Sequence, residues 1–217
     1  MKKNIQKLAL KDFARLFGAS IKDIPSDCAA LISKYDFRYR KLMPEERDSV
    51  ILEVLKKIDL SQFSVAGRKK QPLWKKGWQD ILNNFIKSGY DPEKLKPHYD
   101  TKPARFIRLD KDYVSPVDPM FEMKWLEIFR LWLFKKYLKN ADNIFEFGCG
   151  TGQNLVVLAK IFPKKNLYGL EWVPAPLKII KLLSTKRDMN VQGRLFDIFN
   201  PGSDIGVVLA WGYTDWT

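Results

Sequence analysis

One histidine, His98, and two cysteines, Cys28 and Cys149, are all that this 217-residue sequence offers of imidazole and thiolate metal ligands. With one imidazole and no cysteine cluster, no zinc or iron–sulfur ligand set can be assembled, and only carboxylates are left to hold a metal. Two cysteines so far apart give no disulfide framework, so a reducing cytoplasm is the simplest setting. No stretch reaches the ~18 consecutive apolar residues of a membrane span. The start, Met1-Lys2-Lys3-Asn4-Ile5-Gln6-Lys7-Leu8-Ala9-Leu10-Lys11, has positive charge but too short an apolar run for a secretory signal. Arginine is scarce as well: 28 of the 38 cations are lysine. The bidentate forks that favour phosphate recognition are therefore few.

What is present is a globular composition, 46% hydrophobic and 13% aromatic, which argues against disorder and suits one α/β domain with an extension or two small domains. The net charge of +13 is uneven. From Asn143 onward eight Lys/Arg face six Asp/Glu, so the preceding residues carry +11 of it. A basic N-terminal part keeps an RNA or another acidic partner open.

The stretch around which the chain is organised is Asn143-Ile-Phe-Glu-Phe-Gly-Cys-Gly-Thr-Gly-Gln-Asn-Leu155. An apolar run, Ile144 to Phe147, meets alternate glycines at Gly148, Gly150 and Gly152, and a helical pattern follows at once with Leu155, Val156, Leu158, Ala159 and Phe162. Strand, glycine turn and helix start together expose main-chain N–H groups to a ligand. A second apolar run, Asn166 to Leu170, ends in an acid, Glu171, 19 residues after Gly152. In a βαβ unit that carboxylate lies beside the turn, within reach of ribose hydroxyls. Cys149 has no histidine near it in sequence to activate a nucleophile, and a small residue is expected in a loop that hugs a ligand.

Dinucleotide folds space their glycines G-x-G-x-x-G to seat a pyrophosphate, whereas the spacing here is G-x-G-x-G, preceded by Glu146. This resembles the first motif of class I S-adenosylmethionine-dependent methyltransferases, E/D-x-G-x-G-x-G, matched by Glu146, Gly148, Gly150 and Gly152. The resemblance implies S-adenosyl-L-methionine as cofactor, with Cys149, Thr151 and Asn154 in the binding loop. It implies that Glu171 holds the ribose hydroxyls and that Trp172 packs on the adenine. In Gly193-Arg-Leu-Phe-Asp-Ile198, Asp197 would meet the adenine amino group with Ile198 beside it. The matched region runs from about Asn143 to Gly212.

The implied fold class is α/β: a Rossmann-like sheet of about four parallel strands in the order 3-2-1-4, residues 118–217, after a mostly helical N-terminal region with a proline-rich connection, residues 1–117. Helices are expected over Lys3 to about Phe17, over Asp27 to Ser33, and from Pro44 to about Asp59 with Val50, Ile51, Val54, Leu55 and Ile58 on one face. Ser64 to Gln71 reads as a loop. The next helix carries Trp74 and Trp78 four residues apart; lysines among them could neutralise a nucleic acid, but a core role is favoured. Asp91 to Pro119, with five prolines and His98, reads as extended or looped. The longest helix, Asp118 to about Leu138, is apolar around most of its circumference and should lie buried against the sheet. Pro174 to Leu183 gives a crossover helix, Val191 to Phe196 a third strand and Ile205 to Ala210 a fourth.

Class I sheets have seven strands and four can be read here, so the domain reads as short at its C-terminus. An exposed edge on the fourth strand would seek pairing and give a homodimer. The resemblance implies methyl transfer to oxygen or nitrogen. No RNA-binding module is recognisable, so a small molecule or glycan acceptor is favoured over nucleic acid. His98 is the one candidate general base, with no catalytic residue assigned. Two other readings stay open: a non-catalytic cofactor-binding or partner protein, and an NAD-dependent enzyme, which the glycine spacing disfavours.

Overall fold

A computed structural model describes residues 5–60, 71–96 and 105–197. The chain is a mixed α/β protein, with two sheets among the described residues. His98, Ile198, the Ser64–Gln71 loop apart from Gln71 itself, and the fourth strand expected over Ile205–Ala210 lie outside the described residues.

The N-terminal part alternates short strands with helices: β1 (Ile5–Lys7), α1 (Leu10–Leu16), α2 (Ser26–Lys34), β2 (Arg38–Lys41), α3 (Pro44–Asp59), α4 (Gln71–Lys87), β3 (Ile107–Leu109) and β4 (Asp112–Pro116). The four strands form an antiparallel sheet in the order β1-β2-β4-β3. Helices therefore account for only part of this region. The single helix expected from Lys3 to Phe17 is divided, because Ile5, Gln6 and Lys7 pair with Arg40, Tyr39 and Arg38 before α1 begins. Three residues are too few for apolar spacing to separate strand from helix. The proline-rich stretch likewise contains regular structure, a hairpin in which Ile107 pairs with Val114 and Leu109 with Asp112. Its two-residue turn, Asp110-Lys111, has positive φ at both positions, 50° and 71°. That is the geometry that matches strand twist, here built without glycine.

Helix α3 spans the expected residues, and Arg40 grips Glu46 in its first turn with two bonds of 2.5 and 2.7 Å. Its apolar stripe is nevertheless open: Ile51, Leu55 and Ile58 are exposed, and Ile51 and Leu55 with Val54 and Arg47 line a cleft shared with Arg108 and Tyr113 of the hairpin.

The C-terminal part follows the expected pattern: α5 (Phe121–Tyr137), β5 (Asn143–Phe147), α6 (Gln153–Ile161), β6 (Asn166–Glu171), α7 (Pro174–Arg187) and β7 (Val191–Leu195). The strands are parallel in the order β5-β6-β7, with Ile144 opposite Leu167 and Leu167 opposite Val191. This is the 3-2-1 portion of the expected order. Burial explains why the interior of the middle strand, Leu167 to Leu170, carries no charge.

Two apolar cores result. One joins Phe13, Cys28, Phe37 and Val114 to Phe121, Ile128 and Trp132 of α5. The other joins β5, β6, β7, α6 and α7 to Ile81, Leu82 and Phe85 of α4. Helix α5 thus differs from its expected place: its buried side chains serve the antiparallel half, while Phe134 and Leu138 reach the parallel half. A helix apolar on most sides can pack against two bodies at once. Conversely, α4 belongs to the core of the parallel sheet. Among the described residues no helix is long and apolar enough to cross a membrane.

Candidate functional site at the glycine loop

The site begins where β5 leaves its ladder. Phe147 is still in register with Leu170, but the N–H groups of both Gly148 and Cys149 turn to the Leu170 carbonyl, at 2.8 and 3.2 Å. The chain then winds through left-handed torsions at Gly148, Gly150 and Gly152, with φ of 65°, 50° and 75°. Side chains rarely adopt these values, so the alternation of glycine is a backbone requirement. Gly152, its N–H bound to the Cys149 carbonyl at 2.8 Å, stands at the N-terminal boundary of α6.

Two carboxylates flank this loop. Glu171, at the end of β6, is 4% exposed, a rare burial for an acidic side chain. Its Oε2 accepts the Gly150 N–H at 3.1 Å and its Oε1 accepts the Trp172 N–H at 2.9 Å. Each carboxylate oxygen can accept a second hydrogen bond, so Glu171 both fastens the loop and retains acceptor capacity.

Glu146, on β5, is held differently. Its Oε1 accepts from Asn154 Nδ2 at 2.7 Å, and the Asn154 Oδ1 accepts from Arg130 Nη1 at 3.3 Å. Its Oε2 is fully enclosed and takes no hydrogen bond from the described residues. Burial pushes Glu146 up to about 7, opposed by the Asn154 bond and the Arg130 charge and reinforced by the charge on Glu171. An enclosed acceptor without a partner is costly, and such positions are commonly completed by a ligand, ion or water.

The remaining sequence candidates fall around this centre. Thr151 is buried in the loop. Cys149 is buried as well, its thiol pushed up chiefly by burial and further by the charges of Glu146 and Glu171. That environment makes it an inert core thiol. The Phe196 N–H donates to the Glu171 carbonyl at 3.0 Å, so Asp197 leaves the sheet at the same end as Glu171 and Trp172. Ile198 and His98 lie outside the described residues. The structure therefore brings Glu146, the loop from Gly148 to Gly152, Asn154, Glu171, Trp172 and Asp197 to one end of the parallel sheet. Among the described residues no cluster of His, Cys, Asp and Glu suits a metal ion.

Four residues at this site escape sequence reasoning. A Cβ on Gly150 would sit 3.3 Å from the Trp78 ring, and Lys75 Nζ stands 5.5 Å over the ring of Trp172, so α4 overlies the loop. A Cβ on Gly169 would meet Ile180 Cδ1 at 2.5 Å and both Cys149 Sγ and Leu155 Cδ1 at 2.8 Å, so this mid-strand glycine admits the packing beneath the loop. Arg130 had a signal, since a lone arginine in an apolar helix needs a partner. Trp78 and Lys75 belong to the lysine-interleaved tryptophan pair that the sequence offered as core or nucleic-acid contact, not as part of this site, and Trp78 does pack against the core; Gly169 had no signal.

No protein-family model matches the chain, and no curated protein matches it. Among solved structures it is similar to coclaurine N-methyltransferase bound to N-methylheliamine and SAH, at 16% identity with a TM-score of 0.32. The match covers 70% of this chain and 50% of that one, so the chain spans about half of its length. A likeness of that score leaves the class of protein to be argued from the site itself.

Proposed function

We propose that this chain is an S-adenosylmethionine-dependent methyltransferase whose cofactor site is carried by residues 118–217, after an N-terminal region of residues 1–117. The observation that carries the reading is the enclosed Oε2 of Glu146, unpartnered among the described residues, behind a G-x-G-x-G loop fastened at Gly150 by a second buried carboxylate, Glu171. A zwitterionic nucleoside fits that donor set: Glu146 would take its ammonium, the loop from Gly148 to Gly152 its amino-acid and ribose portion, and Glu171 its ribose hydroxyls. Trp172 would face the adenine and Asp197 its amino group, with Ile198, outside the described residues, next in sequence.

S-adenosylmethionine supplies an electrophilic sulfonium methyl when bound. The residues of the chain need only align an oxygen or nitrogen acceptor with it and keep water out, which is why no triad is called for. Arg130 and Asn154 hold Glu146 in place, and Glu171 keeps the loop in its binding shape through Gly150. A small molecule or glycan is the favoured acceptor. An RNA acceptor would show itself by a log–log salt slope of about one per phosphate contacted.

A second reading, a non-catalytic cofactor-binding or partner protein, draws on a specific observation: both Glu171 oxygens already bind the main chain and Trp78 lies on the loop. Calorimetric titration of S-adenosylmethionine and S-adenosylhomocysteine, with Glu171→Ala and Gly150→Val alongside, tests the cofactor. Binding that both substitutions abolish supports the proposal. A folded wild-type chain that binds NADH and neither of these nucleosides would overturn it.

A further inference from the structure

Helix α3 carries an apolar stripe and, among the described residues, buries none of its side chains. Ile51, Leu52, Leu55 and Ile58 are 38%, 52%, 55% and 57% exposed, and Leu60, just beyond its end, is 66% exposed. Helices in proteins draw most of their stability from packing an apolar face. This one is held instead by Pro44 at its start, by the Arg40–Glu46 pair and by its own Glu53–Lys57 pair at 2.6 Å. An apolar face of that extent, bare on a charged surface, marks an interaction site.

The face is one wall of a cleft of about 630 Å³. Arg47, Ile51, Val54 and Leu55 line it from α3, and Arg108 and Tyr113, which lie directly opposite each other in the β3–β4 hairpin, line it from the other side. That second wall is firm. Ile107 and Val114 next to them are buried in the antiparallel core, and Phe106 stands edge-on to the Tyr113 ring with centroids 5.9 Å apart. The free charge of the cleft is positive. Asp110 is engaged by Arg15 at 2.7 Å and the Asp112 carboxylate accepts the Tyr113 N–H at 2.8 Å, whereas Arg108 and Lys111 have no ion-pair partner among the described residues.

Shape and charge together select the occupant. The exposed stripe runs on past the cleft to Leu60, about 14 Å from Ile51 along the helix, which suits an elongated partner better than a small molecule. Two walls around the stripe do not suit the flat surface of a bilayer. A second copy of the chain would bring another +13 of charge to a face with free cations. We propose that the cleft between α3 and the β3–β4 hairpin is a docking groove for an acidic amphipathic helix of a partner protein, whose apolar side chains pack on Ile51, Val54 and Leu55 while its carboxylates meet Arg108 and Lys111. This is helix-in-groove recognition, with the Arg108 fork setting the orientation. It is independent of the nucleoside reading.

The probe is a fluorescein-labelled designed helix of about five turns, with leucines at i, i+4 and i+7 and glutamates flanking them, titrated with the full chain and read by fluorescence anisotropy. The wild type binds it saturably. Leu55→Asp and Arg108→Glu each weaken binding about tenfold or more. Leu52→Asp, as exposed as Leu55 but outside the cleft, leaves it within about twofold. A peptide with lysines in place of the glutamates binds about tenfold more weakly at low salt, and the gap narrows as salt is raised. All three substituted side chains are exposed, so the variants keep the fold, as thermal melts check. No saturable binding by the folded wild type, equal binding of the lysine peptide, or an equal loss in Leu52→Asp overturns the proposal. A dimer in sedimentation that Leu55→Asp dissolves would assign the face to a second copy, and co-sedimentation with phosphatidylglycerol vesicles that Leu55→Asp abolishes would assign it to a bilayer; either result also overturns it.

Discussion

The two sheets solve the same backbone problem in opposite ways. The parallel sheet needs left-handed torsions at the end of β5 and places glycine at all of them, Gly148, Gly150 and Gly152. The antiparallel sheet needs them between β3 and β4 and places Asp110 and Lys111 there. A side chain in that region costs about 1–2 kcal/mol. The hairpin bears this at the surface, where Asp110 gains an exposed 2.7 Å ion pair with Arg15. The glycine loop has a second reason for bare backbone, which is close approach: Trp78 is already in contact range above Gly150. Where a turn only reverses the chain, strain is tolerated; where a surface must be approached, glycine is kept.

Several substitutions break or sharpen this comparison. The largest effect is expected for Gly169→Ala, beneath the loop, where the added methyl meets three side-chain ends at 2.5 to 2.8 Å. Overpacking of that kind costs about 1–3 kcal/mol, read as a lower midpoint in chemical denaturation. Gly148→Ala has open space around the new methyl, so it isolates torsional strain and should cost about 1–2 kcal/mol. Lys111→Gly is the mirror experiment. It relieves a torsion of the same kind and should stabilise the chain by about 0.5–1 kcal/mol, less than the strain relieved because the unfolded state gains freedom. If Gly148→Ala and Lys111→Gly shift stability with the same sign, the contrast between the two turns is wrong.

The carboxylates add a pH dimension to the parallel half. Burial holds Glu146 at about 7 against an ordinary 4.5. Being raised on folding, it contributes stability that is complete below about 4.5 and lost as pH rises through about 7. Arg130, Asn154, Glu171 and Cys149 surround it, and among them Arg130 supplies the opposing charge. Glu146→Gln should therefore flatten the stability profile between those values, measured by thermal melts at a series of pH values. An identical slope in the two proteins would show that Glu146 is not the titrating group.

Legibility in the sequence followed the same divide. Strand, glycine loop, helix and acid-ended strand could be read because each has a local signature: apolar runs, alternate glycines and a carboxylate at a strand end. Asp197 could be placed at the correct sheet end by the same logic, since Phe196 closes on Glu171. The antiparallel sheet could not be read, because strands of three to five residues carry too little periodicity and the Asp-Lys turn lacks the usual glycine. The two faces of α5 were hidden for a different reason. An all-round apolar helix announces burial without saying against what. That Trp78 and Lys75 lie over the glycine loop and Trp172 became visible only in three dimensions, since nothing local tells a helix that it will lie across a loop more than 70 residues away.

The most direct measurement is the affinity of the chain for S-adenosylhomocysteine from pH 6 to pH 8, in wild type and in Glu146→Gln. If Glu146 is the partner of the ligand ammonium, the wild type binds more tightly as pH rises toward and past about 7, by at most about tenfold per pH unit below it, and the glutamine variant is weaker and flat. No binding by the folded wild type, or a wild-type affinity that ignores pH across this range, would contradict the account.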